Sequence, residues 1–281
     1  MMSTASEYFA DVRAAWRRIE ELSPRVRGLV ESVAADSTTL PVLFEHLLTM
    51  LRYRAVVDGA ATDPDTWQDL DFAAEAATGI FGLAAAEAGT MTDTRVGWLD
   101  GLPATGPTAY ATGRTWLTAA WLAIALRDAA MIDKLVAVPV AAMRDADSDY
   151  DAYLYPWVET LQAFLGHREV PPELFLAVMD GTDPDLARHT SAEFMMRVIY
   201  PPIRMFYYIL RRDEEKFATA LSDAVDRHHL QWATADFDTD PEGLLASAPL
   251  AMVILARSVG MSAEVRSPYL PAGFLRGQRV S

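Results

Sequence analysis

The stretch Ile199–Trp232 most restricts what this chain can fold into, because it spells out two helices and the turn between them. Tyr200 precedes Pro201, and a residue before proline is steered away from helical backbone angles. Pro202 can open a helix, since its missing N–H costs nothing in a first turn. Ile203, Phe206, Tyr207 and Leu210 then follow the i, i+3, i+4, i+7 spacing of one helical face. Asp213 is placed to cap a second helix, with Glu214 and Glu215 in the first turn, where the helix dipole favours negative charge. That helix carries Phe217, Leu221, Val225, His228 and Trp232 on one stripe. Both stripes need burial, so Tyr207, His228 and Trp232 are expected to face one another.

The hairpin has an echo. Trp121, Arg127, Asp128, Ile132 and Val136 match Phe206, Arg212, Asp213, Phe217 and Leu221 at a constant offset of 85 residues. Such copies predict an array of helical hairpins. Other stripes support it. Tyr8, Val12, Trp16 and Ile19 share a face of a helix expected to stop at Ser23 and Pro24, and Phe44, Leu47, Leu48, Leu51 and Ala55 form another. Asp63-Pro64, Asp183-Pro184 and Asp240-Pro241 repeat one device, a capping aspartate before a first-turn proline. They predict helices after 63, over Leu186–Ile199 and over Leu244–Val259, the last ending at Gly260. Pro171 and Pro172 start a further helix. The expected architecture is therefore all-α: one domain over 1–281 of about ten to twelve helices, judged by periodicity. At most one short β-hairpin is expected, at Arg95–Leu99 in the irregular segment near 89–110, with an extended tail near 264–281. A loop that long is often functional.

Composition narrows the chemistry. There is no cysteine among the 281 residues, which removes disulfides, thiolate metal sites and cysteine nucleophiles. No apolar run is long enough to span a bilayer, and no signal peptide is evident at the N-terminus, so a cytoplasmic location is expected. The net charge of −15 disfavours nucleic acid and favours a basic protein partner. Lysine occurs only at 134 and 216, an arginine bias of the kind GC-rich bacterial genomes produce. His46, His167, His189, His228 and His229 make no zinc-binding spacing, and no phosphate loop, dinucleotide fingerprint or nucleophile elbow occurs, so no metal and no cofactor is expected.

Three groups remain as candidates. His228 sits on an apolar stripe, where an acid–base role would require a carboxylate or tyrosine partner; the simpler reading is a core histidine bonded to a tyrosine or a backbone carbonyl. Arg204 can bind an anion or pair with an acid. Tyr150, Tyr153, Tyr155, Trp157 and Tyr200 can anchor a partner or line an apolar pocket, and otherwise belong to the core. Were the protein an enzyme, His228, Tyr207 and Arg204 would carry the chemistry.

Several stretches, taken in order, resemble the immunity protein 49 family of bacterial, largely actinobacterial, polymorphic-toxin systems. They are Leu102–Tyr110 (LPATGPTAY), Trp116–Ala123 (WLTAAWLA), Tyr150–Gln162 (YDAYLYPWVETLQ), Gly181–Asp185 (GTDPD), Tyr200–Pro202 (YPP), Asp240–Gly243 (DPEG) and Tyr269–Pro271 (YLP). The resemblance implies a non-catalytic helical protein that binds and neutralises a cognate toxin; the residues themselves add Tyr150, Tyr153, Tyr155, Trp157, Tyr200, Arg204, Tyr207, His228 and Trp232 as candidate partner or ligand contacts. The chain departs from the family pattern at His229, Gln231, Arg266 and Pro268. That keeps a second reading: a divergent member recruited as a small-molecule-binding protein or enzyme, with an aromatic-lined pocket around Tyr207, His228 and Trp232.

Overall fold

The computed structural model describes residues 11–146, 150–234 and 240–279. Tyr8, the middle of the acidic stretch Asp145–Asp151 and most of Asp236–Asp240 lie outside the described residues. Apolar stripes dictate helices, and several successive ones pack on each other. In order they are α1 (Val12–Ala35), α2 (Leu40–Val57), α3 (Pro64–Ala85), α4 (Gly113–Leu126), α5 (Ala129–Val136), α6 (Val140–Ala146) and α7 (Leu154–Leu165). Then come α8 (Pro172–Gly181), α9 (Ala192–Phe194), α10 (Tyr200–Arg211), α11 (Glu214–Trp232), α12 (Ser247–Ser258) and α13 (Ala272–Arg276). Counting the continuous α9–α10 as one gives twelve helices, and the sole sheet among the described residues is the hairpin β1 (Arg95–Val96) with β2 (Leu99–Asp100). The all-α expectation holds.

α4 has no charged residue between Thr115 and Leu126, and it sits where a helix apolar all round must, packed against α3, α5, α7 and α12. Trp116 Nε1 donates to the Leu135 carbonyl at 2.8 Å, and Gln162 Nε2 to that of Val138 at 2.8 Å. The polar edges of the centre are thus tied to α5 and to the residues just after it. One contiguous core runs from Ile19 to Leu275.

The 85-residue echo is structural down to single hydrogen bonds. Arg127 ends α4 and Arg212 ends α10, both left-handed, with φ of 58° and 54°. The Asp128 N–H reaches Ala123 O and the Asp213 N–H reaches Tyr208 O, each at 3.1 Å. Asp128 then caps Met131 N–H and Asp213 caps Lys216 N–H. This closing turn normally takes glycine, since a side chain there costs about 1–2 kcal/mol. The guanidinium offsets that cost. Arg127 donates to the carbonyls of Ala125, Phe274 and Leu275, and Arg212 to that of Val259.

Four expectations need correction. α1 continues through Pro24, and Val12 and Trp16 on its first turns are exposed. The proline removes only the N–H meant for Glu20, while Val26, Val30 and Val33 beyond it are buried on the side where α1 meets α2. Asp183 does accept the Asp185 N–H, yet a turn follows instead of a helix. There Asp151 Oδ1 takes the N–H groups of Arg188 (2.6 Å) and His189 (3.0 Å), and the helix waits for the Ser191 cap. Tyr200 is helical despite preceding a proline. Met195–Ile199 forms a π-turn in which Tyr200 N–H reaches Met195 O, so the widened turn admits Pro201 and Pro202 without ending the helix. Finally, the tail is extended only as far as Ser267.

Beyond that point α13 folds onto the body. The Gly273 N–H bonds Ala60 O at 2.7 Å, the Phe274 ring meets Trp67 edge-on at 5.1 Å, and a Cβ at Gly273 would lie 2.2 Å from Ala61 O. Arg257 joins Arg127 on the Leu275 carbonyl.

Candidate functional site

The aromatic hairpin is closed. α10 buries Ile203, Met205, Phe206 and Ile209, so its inner face is turned from the predicted stripe, and Tyr207 and Leu210 point outward. Arg204 Nη1 meets Asp223 Oδ2 at 3.1 Å, and Arg227 Nε meets the same oxygen at 2.8 Å. Arg227 also donates to Met196 O, inside the π-turn. One carboxylate thus links α10 to α11 and is shared by two guanidinium groups.

That link also sets the register of the antiparallel pair. Tyr207 lies one turn beyond Arg204 toward the α10–α11 turn, and His228 lies on the opposite side of Asp223. The expectation that Tyr207 faces His228 and Trp232 is therefore corrected. Tyr207, 40% exposed, stacks on Phe175 at 6.0 Å.

His228 is 7% exposed, and its Nε2 lies 2.9 Å from the Gly243 carbonyl. A carbonyl only accepts, so Nε2 carries the proton in the neutral ring. Burial pushes the pKa down to about 4, against the opposing pull of the Gly243 bond. Gly243 is required here: a Cβ would lie 2.5 Å from that of Trp232. Tyr269 packs on His228 at 4.8 Å and its hydroxyl bonds His229 Nδ1 at 2.7 Å, while Trp232 meets Phe194 edge-on.

The tyrosine-rich helix start is mostly core. Tyr155 is buried, with its hydroxyl on Met143 O and Arg144 4.4 Å over its ring. Trp157 is buried between Trp121 and Phe206. Tyr150 and Tyr153 are half-buried; the Tyr150 hydroxyl reaches Thr112, and burial pushes the Tyr153 phenol up. Tyr200 is half-buried at the end of the π-turn.

Open space lies elsewhere. A cleft of about 1010 Å³ runs between α3, the loop over 93–95, the loop over 107–111, and α5–α6. α3 contributes Glu75, Thr78, Gly79 and Gly82; the facing wall contributes Ala130, Lys134, Ala137 and Ala142. Small residues leave the volume, and the two glycines admit the loop: a Cβ on Gly82 would lie 2.9 Å from Thr94 Oγ1. The segment 89–104 is a rigid ladder, with Gly89 N–H on Ala104 O, Thr92 N–H on Leu102 O and Gly101 N–H on Thr94 O. Glu75 fastens its tip, taking the Gly97 N–H at 2.6 Å. None of the nine residues singled out from the sequence lines this cleft. The signals that did point to it were the long segment near 89–110 and the alanine- and glycine-rich α3.

Among the described residues, no cluster of three or more histidines and acids is placed to hold a metal, and no helix is long and apolar enough to cross a membrane. No curated protein and no solved structure matches the chain. The profile of the family described as Immunity protein 49 matches residues 58–274, from the loop before α3 into α13. By that match over most of its length, the chain belongs to the immunity protein 49 family.

Proposed function

We propose that this protein binds and neutralises a cognate toxin of a bacterial polymorphic-toxin system, acting in the cytoplasm by occupation and without a catalytic step. The family match over 58–274 carries this reading. The side chains best suited to chemistry support it. His228 donates to a backbone carbonyl and stays neutral through burial, and Arg204 is held by Asp223, which it shares with Arg227. A net charge of −15 suits a basic toxin, for which long-range attraction raises the encounter rate.

The test is co-expression with the toxin domain encoded beside the gene, together with the association rate at rising salt. Rescue of growth and an on-rate that falls as screening increases are expected. Failure to protect the cell, with both proteins expressed and folded, would discard the reading.

A further inference from the structure

Three large apolar side chains stand out from the surface on a single element. Met91 (65% exposed), Trp98 (61%) and Tyr110 (55%) all belong to the segment over 89–110. Each lies within a few residues of one that lines the cleft: Asp93, Arg95 and Ala109 or Ala111. They are not on loose chain. The backbone ladder over 89–104 holds Met91 and Trp98, the Ser37 hydroxyl donates to Pro103 O at 2.6 Å, the Trp98 ring rests edge-on against Phe72, and Tyr110 sits in a turn closed by the Ala111 N–H on Thr108 O. Rigid aromatic groups beside a preformed cavity lose little freedom on binding, which is the condition for an anchor.

The charges choose the occupant. The cations of the cleft are already matched, Lys134 to Asp93 at 3.2 Å and Arg95 between Glu75 and Asp100 at 3.8 Å each. The carboxylates Glu75, Asp93 and Asp128 outnumber them along the lining. Glu75 is half-buried, takes the Gly97 N–H and shares the Arg95 guanidinium with Asp100, so these three charges sum to a negative one, and burial pushes its carboxyl up.

We propose that this cleft, with its rim of Met91, Trp98 and Tyr110, holds the toxin, and that it receives a protruding toxin segment bearing apolar side chains and a lysine or arginine that pairs with Glu75. The inference rests on the toxin-binding reading and adds where and by what chemistry it occurs. An apolar side chain fills the space between the small residues, and the aromatic rim closes over its flanks. The added cation gives Glu75 a charged partner that it does not share with Asp100.

The experiment titrates the purified toxin domain encoded beside the gene into the full chain by calorimetry. The variants are Trp98→Ala with Tyr110→Ala, Glu75→Gln, and Ala142→Trp to fill the cleft. Leu186→Ala and Leu230→Ala are controls at exposed apolar residues that do not line the cleft. The double variant should lose affinity about 30-fold or more at unchanged melting temperature. Glu75→Gln should lose about tenfold and weaken the salt dependence. Ala142→Trp should abolish binding, and the controls should bind as the parent does. Parental binding by all cleft variants would overturn the proposed surface while leaving the toxin reading intact. No binding by the parent would overturn both. A small molecule held in the cleft of the purified protein, or a dimer closing it, seen by native mass spectrometry, would also overturn the proposal.

Discussion

The α10–α11 hairpin and the segment over 89–110 both carry aromatic residues, and they use them in opposite ways. In the hairpin, rings and polar atoms end on the chain itself: His228 on a carbonyl, Arg204 on Asp223, Trp232 against Phe194. In the segment, a ladder of backbone bonds over 89–104, tied to the body through Glu75, Ser37 and Leu83, leaves Met91 and Trp98 outside, and Tyr110 stands exposed just beyond it. Aromatic density therefore does not mark a binding surface. A side chain is available to a partner when the fold can be completed without it, and a segment held through its backbone makes that possible.

The largest expected effect tests the closed half of the comparison. Trp232→Ala should cost about 3–5 kcal/mol through the cavity it leaves. Trp98→Ala should cost under about 1 kcal/mol, as exposed substitutions do. Denaturant titration of both measures the contrast, and equal costs would erase it.

The next effect depends on pH. The His228 pKa is about 4 in the fold and about 6.5 in the unfolded chain. Between those values the unfolded chain binds more protons, so stability is complete above about pH 6.5 and is lost as pH falls toward 4. The loss approaches about 3 kcal/mol. His228→Gln, which can keep a donor on the Gly243 carbonyl, should flatten that slope between pH 7.5 and 4.5. A variant with the parent's slope would show that other groups set it.

The smallest effect belongs to the open half. The Glu75 carboxyl is held above its usual value, so the fold favours its neutral form and loses stability as pH rises through that raised pKa. Glu75→Gln mimics the neutral form and should melt slightly higher than the parent at pH 7. A lower melting temperature would mean that the charge is needed to hold Gly97, and that Glu75 belongs with the closed half.

Local chemistry was the legible part of this fold. Asp63, Asp128 and Asp213 cap helices as their spacing predicts, Asp240 caps only the 3₁₀ turn Pro241–Leu244 ahead of α12, and the turn at Arg212-Asp213 could be matched to Arg127-Asp128 by eye. The errors came where distant contacts outweighed local preference. Tyr200 yielded to the burial of Pro201 and Pro202, and Asp151 removed the amides that a helix after Asp183 needed. Ile209 displaced Tyr207 from the inner face because helical spacing gives the period of a stripe but not which neighbour it meets. The cleft was the least legible. It is volume left largely by alanines and glycines of α3, the loop over 107–111, α5 and α6, and such residues hint at a place without naming its chemistry.

The clasp of α13 on the rest of the body bears on how the protein is made. Trp67 on α3 lacks the ring of Phe274, and Ala60 lacks its amide, until roughly 200 further residues have left the ribosome, about 10–40 s at cellular rates of synthesis. The Arg127 guanidinium waits across 148 residues for the Leu275 carbonyl. During that interval the nascent chain holds an unfinished apolar face, a natural target for chaperones. Any activity that needs the closed fold would begin only after α13 has docked, so newly started chains would contribute nothing to it.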